Sequence, residues 1–148
     1  MSGVILRRAR ASDAKCAGGL MTQFAANTPW LPQVHSQAAH IEFAATMIGR
    51  GWVTVAEHDR RVVGFIARDQ GTVHALYVSD EARGRGIGTA LLRAQQANCD
   101  RLELWAFETN AGARAFYRRH GFAETERSCG AGNDEGLPDI RLIWERAA

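Results

Sequence analysis

Three glycines at alternate positions, Gly84, Gly86 and Gly88, lead from an alternating run that ends at Val78 into an apolar-striped run that begins at Ile87. Alternate glycines let the backbone approach a ligand closely and aim successive N–H groups at one point. A helix N-terminus adds partial positive charge there, and Arg83 and Arg85 add full charges. The chemistry of such a segment is that of a diphosphate cradle. Two other phosphate-binding patterns fail on spacing. A P-loop needs a lysine after its second glycine, and the only lysine of the chain is Lys15. A dinucleotide G-x-G-x-x-[GA] needs Gly or Ala where Thr89 or Leu91 stands. A turn that only caps a helix needs one glycine, not three with two arginines.

A second constellation lies downstream. Asn110 and Tyr117 are seven residues apart in a helical pattern, so they lie within about 20° of each other, two turns along one face. Arg114 falls near that face. Phe116 reads as the core ring beside Tyr117, whose phenol pairs an apolar body with a polar tip. His74 stands two residues before Leu76, and strand alternation predicts that their side chains share one face. His35, His40, His58 and His120 show no metal-ligand spacing, so no metal site is expected.

Arg83-x-x-Gly86-x-Gly88 at a strand-to-helix junction resembles the acetyl-CoA signature of the GNAT N-acetyltransferase superfamily. The resemblance continues through Leu104-Trp105 and Asn110 to Ala115-Phe116-Tyr117-Arg118-Arg119-His120-Gly121-Phe122, and is strong from residue 72 to 122. The first 50 residues match only as strand, helix, helix. One departure is visible: many relatives carry Pro two residues after the strand, where this chain has Asp80.

The resemblance implies the GNAT / acyl-CoA N-acyltransferase fold, acetyl-CoA as co-substrate, and acetyl transfer to a primary amine by direct attack. It implies that Arg83, Gly84, Arg85, Gly86, Gly88 and Thr89 cradle the diphosphate. Backbone groups of Leu76 and Val78 would pair with the pantetheine amides, and the N–H at Leu76 or the next residue would polarise the thioester oxygen. Asn110 would bond the pantetheine, and Tyr117 would sit near the sulfur as general acid. His74 is a candidate base, with Glu57, the acidic stretch Asn133-Asp134-Glu135 and water as alternatives. That acidic stretch fits a cation clamp better. The acceptor is a small-molecule or peptide amine, and its pocket is expected between the second helix region, the meander and the loop from Ser128 to Pro138, with Trp30 and Trp52 as candidate walls. The alternative reading is a non-catalytic acyl-CoA-binding sensor or regulatory module, which would not need Tyr117 or a base.

The elements that must position these residues follow from the pattern. Val4–Arg10 reads as a strand and Ala14–Ala26 as a helix weakened by Gly18-Gly19. Prolines at 29 and 32 make the next stretch a loop, and a second helix runs from about His35 to Ile48. Trp52–Ala56, Val62–Arg68 and Thr72–Val78 alternate as an antiparallel meander. A helix Ile87–Asn98, a strand Arg101–Phe107 and a helix Asn110–His120 follow, a strand–helix alternation that predicts parallel neighbours. Gly121–Arg127 and Asp139–Arg146 close the sheet. The expected class is α/β: a mixed, mainly antiparallel sheet with a parallel splayed centre and flanking helices.

The 148 residues, 46% hydrophobic and 23% charged, describe one soluble domain over residues 1–148, long enough to hold a core without disulfides or metal. A formal charge of +2 gives no electrostatic footprint for nucleic acid. Cys16, Cys99 and Cys129 form no C-x-x-C pair, which points to a reducing compartment, the cytoplasm. No apolar run is of membrane-spanning length, and Met1–Val4 has no basic segment leading into an apolar one, so neither a membrane partner nor a signal peptide is expected. A homodimer through edge strands, with Ala123–Arg127 and Asp139–Arg146 as candidates, is the expected assembly.

Overall fold

Alternating apolar residues lay down one seven-stranded sheet in a computed structural model that describes residues 3–147. Its strands are β1 (Val4–Arg8), β2 (Val53–His58), β3 (Arg61–Asp69), β4 (Thr72–Val78), β5 (Arg101–Phe107), β6 (Ala123–Ser128) and β7 (Asp139–Glu145). Four helices flank it: α1 (Ala14–Ala26), α2 (Gln37–Gly49), α3 (Ile87–Gln96) and α4 (Ala111–Arg119). The expected leaderless start at Met1 and Ser2 lies outside the described residues. No helix among the described residues is long and apolar enough to cross a membrane.

The sheet order is β1-β2-β3-β4-β5-β7-β6, and every neighbouring pair is antiparallel except β4 with β5. The mixed, mainly antiparallel class is as expected, with two corrections in its closing half. β7 pairs with β5 along its whole length, so Asp139–Arg146 is not a sheet edge; the edges are β1 and β6. For the same reason β5 and β6, joined through α4, are not parallel neighbours. A chain that returns through the long loop after β6 can insert its last strand between them, which strand–helix alternation alone does not reveal.

The two faces of the sheet bury separate cores. Ile66, Val73, Leu91, Leu102, Leu104, Tyr117 and Phe122 pack under α3 and α4, while Val53, Val55, Phe65 and Ala67 pack under α1 and α2. Gly18 does not break α1. A Cβ there would lie 2.6 Å from Ile41 Cα, so the glycine lets α2 lie almost against α1. The second helix starts at Gln37 because the Ser36 hydroxyl caps it, accepting from Ala39 N–H at 3.1 Å.

Three bulges interrupt the pairing, one of them at Thr125 of the edge strand β6. Ala67 pairs with Ala75 and Arg68 with Val73, which leaves His74 as the extra residue on β4. The third bulge leaves Val63 unpaired opposite the Ala56–Glu57 step of β2.

Candidate functional site

β4 and β5 touch at one point. Thr72 is opposite Glu103, whose N–H donates to Gly71 C=O at 2.8 Å; beyond that the strands diverge. The divergence opens a cleft of about 840 Å³ through the sheet, with α3 and α4 on one face and α1 and α2 on the other. β4 is paired to β3 on one side, so the backbone groups that alternate residues turn toward β5 have no strand partner. Leu76 and Val78 line this cleft while their side chains rest on the α3/α4 core.

The turn before α3 closes one end of the cleft. Gly84 and Gly86 have φ of +76° and +78°, and a Cβ on either would meet nothing within 4 Å. Backbone conformation, not crowding, requires glycine there. α3 then starts without a side-chain cap, so its first N–H groups face the cleft unsatisfied. Arg83, Gly84, Gly86, Gly88 and Thr89 all line the cleft, but Arg85 does not. Arg119 of α4, which the motif did not single out, supplies a second arginine on the wall. Thr89 presents its backbone only, because its hydroxyl is engaged with His120 Nε2 at 3.1 Å.

Asn110 and Tyr117 reach the same cleft. Asn110 is the N-cap of α4: its Oδ1 accepts from Ala113 N–H at 3.1 Å, which leaves its Nδ2 protons for a ligand. Arg114 is drawn away into a pair with Glu124 at 2.8 Å. Tyr117 is 9% exposed, packed edge-on against Phe116 and Phe122. Burial, with a smaller contribution from nearby Tyr77, pushes its phenol well above the ordinary range, so it holds its proton.

His74 lines the cleft but does not share a face with Leu76. The bulge turns it to the α1/α2 side, where its ring stacks on Trp52 with centroids 4.6 Å apart. Glu57 is not at the site. Arg7 holds it at 3.0 Å while also binding Asp13 at 2.8 Å, at the far end of β2. Trp52 therefore braces His74, and Trp30 packs edge-on against Phe107 of the cleft wall.

Two residues that sequence reasoning passed over or left loosely placed stand where the cleft meets a smaller cavity of about 210 Å³. Tyr77 and Glu135 line both spaces, together with Phe24 and Phe107. Burial, reinforced by Glu135, pushes the Tyr77 phenol up to about 12. Tyr77 reads in sequence as one more strand aromatic; only the splay of β4 from β5 makes it a wall of the cleft. The smaller cavity lies between α1, α2 and the loop that carries Asp134 and Glu135, which is the expected acceptor side.

Residues 49–124 match the model of the acetyltransferase (GNAT) domain. The chain belongs to the GNAT acetyltransferase family. An uncharacterized N-acetyltransferase of Methanocaldococcus jannaschii is 36% identical over 88 residues, covering 49% of this chain and 39% of that protein. The peptidyl-lysine N-acetyltransferase YjaB of Escherichia coli is 34% identical over 77 residues, 52% of each chain. Its apo-form solution structure superposes with a TM-score of 0.80 at 22% identity, covering 97% of this chain and 99% of that one. YncA of Salmonella typhimurium, solved with acetyl-CoA, gives a TM-score of 0.75 at 19% identity over 99% and 96% of the two chains. The chain spans about 39–66% of the length of the curated relatives it matches first.

The GNAT site can be tested for acetyl-CoA on this chain's own geometry. Left-handed Gly84 and Gly86, an uncapped α3 and two arginines suit a diphosphate, and the free edge of β4 suits a chain of amides. The residues fit the group.

Proposed function

We propose that residues 1–148 form one acetyltransferase domain that moves an acetyl group from acetyl-CoA to a primary amine. The observation that carries this reading is the convergence of the uncapped α3, the unpaired β4 edge and the buried phenol of Tyr117 on one cleft that crosses the sheet. A pure binding module needs the first two and has no use for the third. Relatives named as N-acetyltransferases support the same class.

Bound in the cleft, acetyl-CoA supplies an acetyl thioester, whose carbonyl carbon gains a bond from the amine nitrogen as its bond to sulfur breaks. The backbone N–H groups from Arg83 to Thr89 hold the diphosphate, and Asn110 Nδ2 holds the pantetheine arm. A β4 N–H at Leu76 or Tyr77 stabilises charge on the carbonyl oxygen. Tyr117 Oη keeps its proton in the resting protein and gives it to the leaving sulfur. His74, on the face that the acceptor cavity shares, takes the proton that the amine must lose.

The test is release of free thiol from acetyl-CoA across a panel of primary amines, with the product identified by mass. Thiol release that requires an amine and yields its acetamide is the expected result. Acetyl-CoA binding without transfer to any amine would make the chain a sensor instead.

A further inference from the structure

The smaller cavity has an unusual lining for a pocket that opens on a polar reaction. Its body is apolar: Met21, Phe24, Leu31, Phe43 and Phe107. At about 210 Å³ it is far below the ordinary range of about 300–1,000 Å³ for ligand pockets. It has room for one small group, and its apolar body offers the hydroxyls of a sugar ring few partners. Its outer wall is Phe43, 40% exposed, and the exposed Asp134, with His35 packed edge-on against the first and bonded to the second.

The polar groups in this cavity are arranged by sign. Asp134 is engaged by His35 Nε2 at 3.0 Å. Glu135, where the cavity meets the cleft, has no ion-pair partner among the described residues. It lies close enough to Tyr77 and to His40 to act on both electrostatically. His40 is 7% exposed and bonds Thr22 Oγ1 through Nδ1 at 2.8 Å. The Thr22 hydroxyl donates back to Gly18 C=O, as helical threonines do, so Nδ1 carries the His40 proton and Nε2 is left as an acceptor on a ring that lines the cavity. Burial, then His35, keeps that ring neutral. The junction therefore offers acceptors and negative charge and no cation. A primary ammonium satisfies it, and a carboxylate on the adjacent carbon would be driven out.

We propose that the acceptor is a primary ammonium on a slender apolar stem with no carboxylate beside it: the stem fills the smaller cavity and the ammonium rests on Glu135, beside Tyr77. This rests on the transfer reading above. Glu135 and the aromatic walls then set specificity, against free α-amino acids by charge and against amino sugars by polarity. A free arylalkylamine and the side chain of a peptide lysine share this chemistry, and the cavity is open to the cleft at Phe24, Tyr77, Phe107 and Glu135.

The experiment uses four probes on the full chain: phenethylamine, phenylalanine, glucosamine, and a lysine peptide blocked at both ends. Binding is measured by calorimetry and turnover by thiol release, on wild type and on Glu135→Gln, which keeps the side-chain volume on an exposed loop. Phenethylamine or the blocked lysine peptide should be preferred over phenylalanine and glucosamine by at least about tenfold in kcat/KM, and the better of the two identifies the source. Glu135→Gln should weaken phenethylamine binding by about ten- to a hundredfold, the range of one charged hydrogen bond. It should also narrow the gap to phenylalanine. Equal use of phenethylamine and phenylalanine by wild type, or a Glu135→Gln variant that binds phenethylamine normally, would overturn the assignment while leaving the transfer reading intact. Glu135-dependent binding with no turnover of any probe would uphold the pocket and reject the transferase.

Discussion

Two side chains carry the proposed proton movements, and each can be separated from binding. Nothing around Tyr117 lowers its proton affinity; burial, then Tyr77, raises it. A thioester sulfur accepts hydrogen bonds poorly until charge develops on it, so the phenol helps the transition state far more than the ground state. Tyr117→Phe should lower kcat about 10²–10⁴-fold while calorimetry shows acetyl-CoA affinity unchanged. Full turnover in that variant would remove the general-acid role. His74 differs because its ring is braced by Trp52 and exposed to solvent. His74→Ala should lower kcat/KM by about 10²–10⁴-fold, and added imidazole should restore part of it. An undiminished rate would assign the proton to water.

At the scale of elements, the turn into α3 and the anchoring of α1 are the parts most open to test. Gly86 sits at φ +78°, so Gly86→Val places a branched side chain in a conformation it resists and disturbs the N–H groups of the helix start. Calorimetry should show CoA binding abolished, with the fold intact by circular dichroism; unchanged affinity would move the diphosphate elsewhere. Asp13, just before α1, is held below the usual carboxylate range mainly by its hydrogen bonds from the Arg7 guanidinium, with Arg10 N–H also donating. A depressed folded value means the bond contributes fully above about pH 4 and is lost as pH falls through the folded value. Urea unfolding should find Asp13→Asn less stable than wild type at neutral pH, with the gap closing in acid. Parallel curves at all pH values would contradict that account. These elements were largely readable in the sequence, because alternation, the prolines near residue 30 and the glycines before Ile87 are local signals. The bulge at His74 was not, since an extra strand residue leaves no mark in an alternating run, and it reversed the expected face of that histidine. The Ser36 cap likewise set the start of α2 against the apolar pattern.

For the molecule as a whole, function depends on a defect in the sheet. β4 and β5 are held together only at Thr72 and Glu103, and their divergence connects two helix layers that a continuous sheet would seal apart. The phosphate loop was legible because glycine and arginine spacing is local chemistry. On the acceptor side the walls were legible but the meeting side chains were not, because Tyr77, His40 and Glu135 come from three distant segments and meet only through the insertion of β7 and the loop before it. Sequence reasoning had placed Glu57 among the bases; the fold ties it to Arg7 instead. The most direct test of the central claim is backbone amide hydrogen exchange with and without acetyl-CoA. The account predicts new protection at residues 84–89 and at the alternate amides between Ala75 and Val78 that turn away from β3, where no strand partner now protects them. Acetyl-CoA that binds while leaving exchange at both segments unchanged would contradict it.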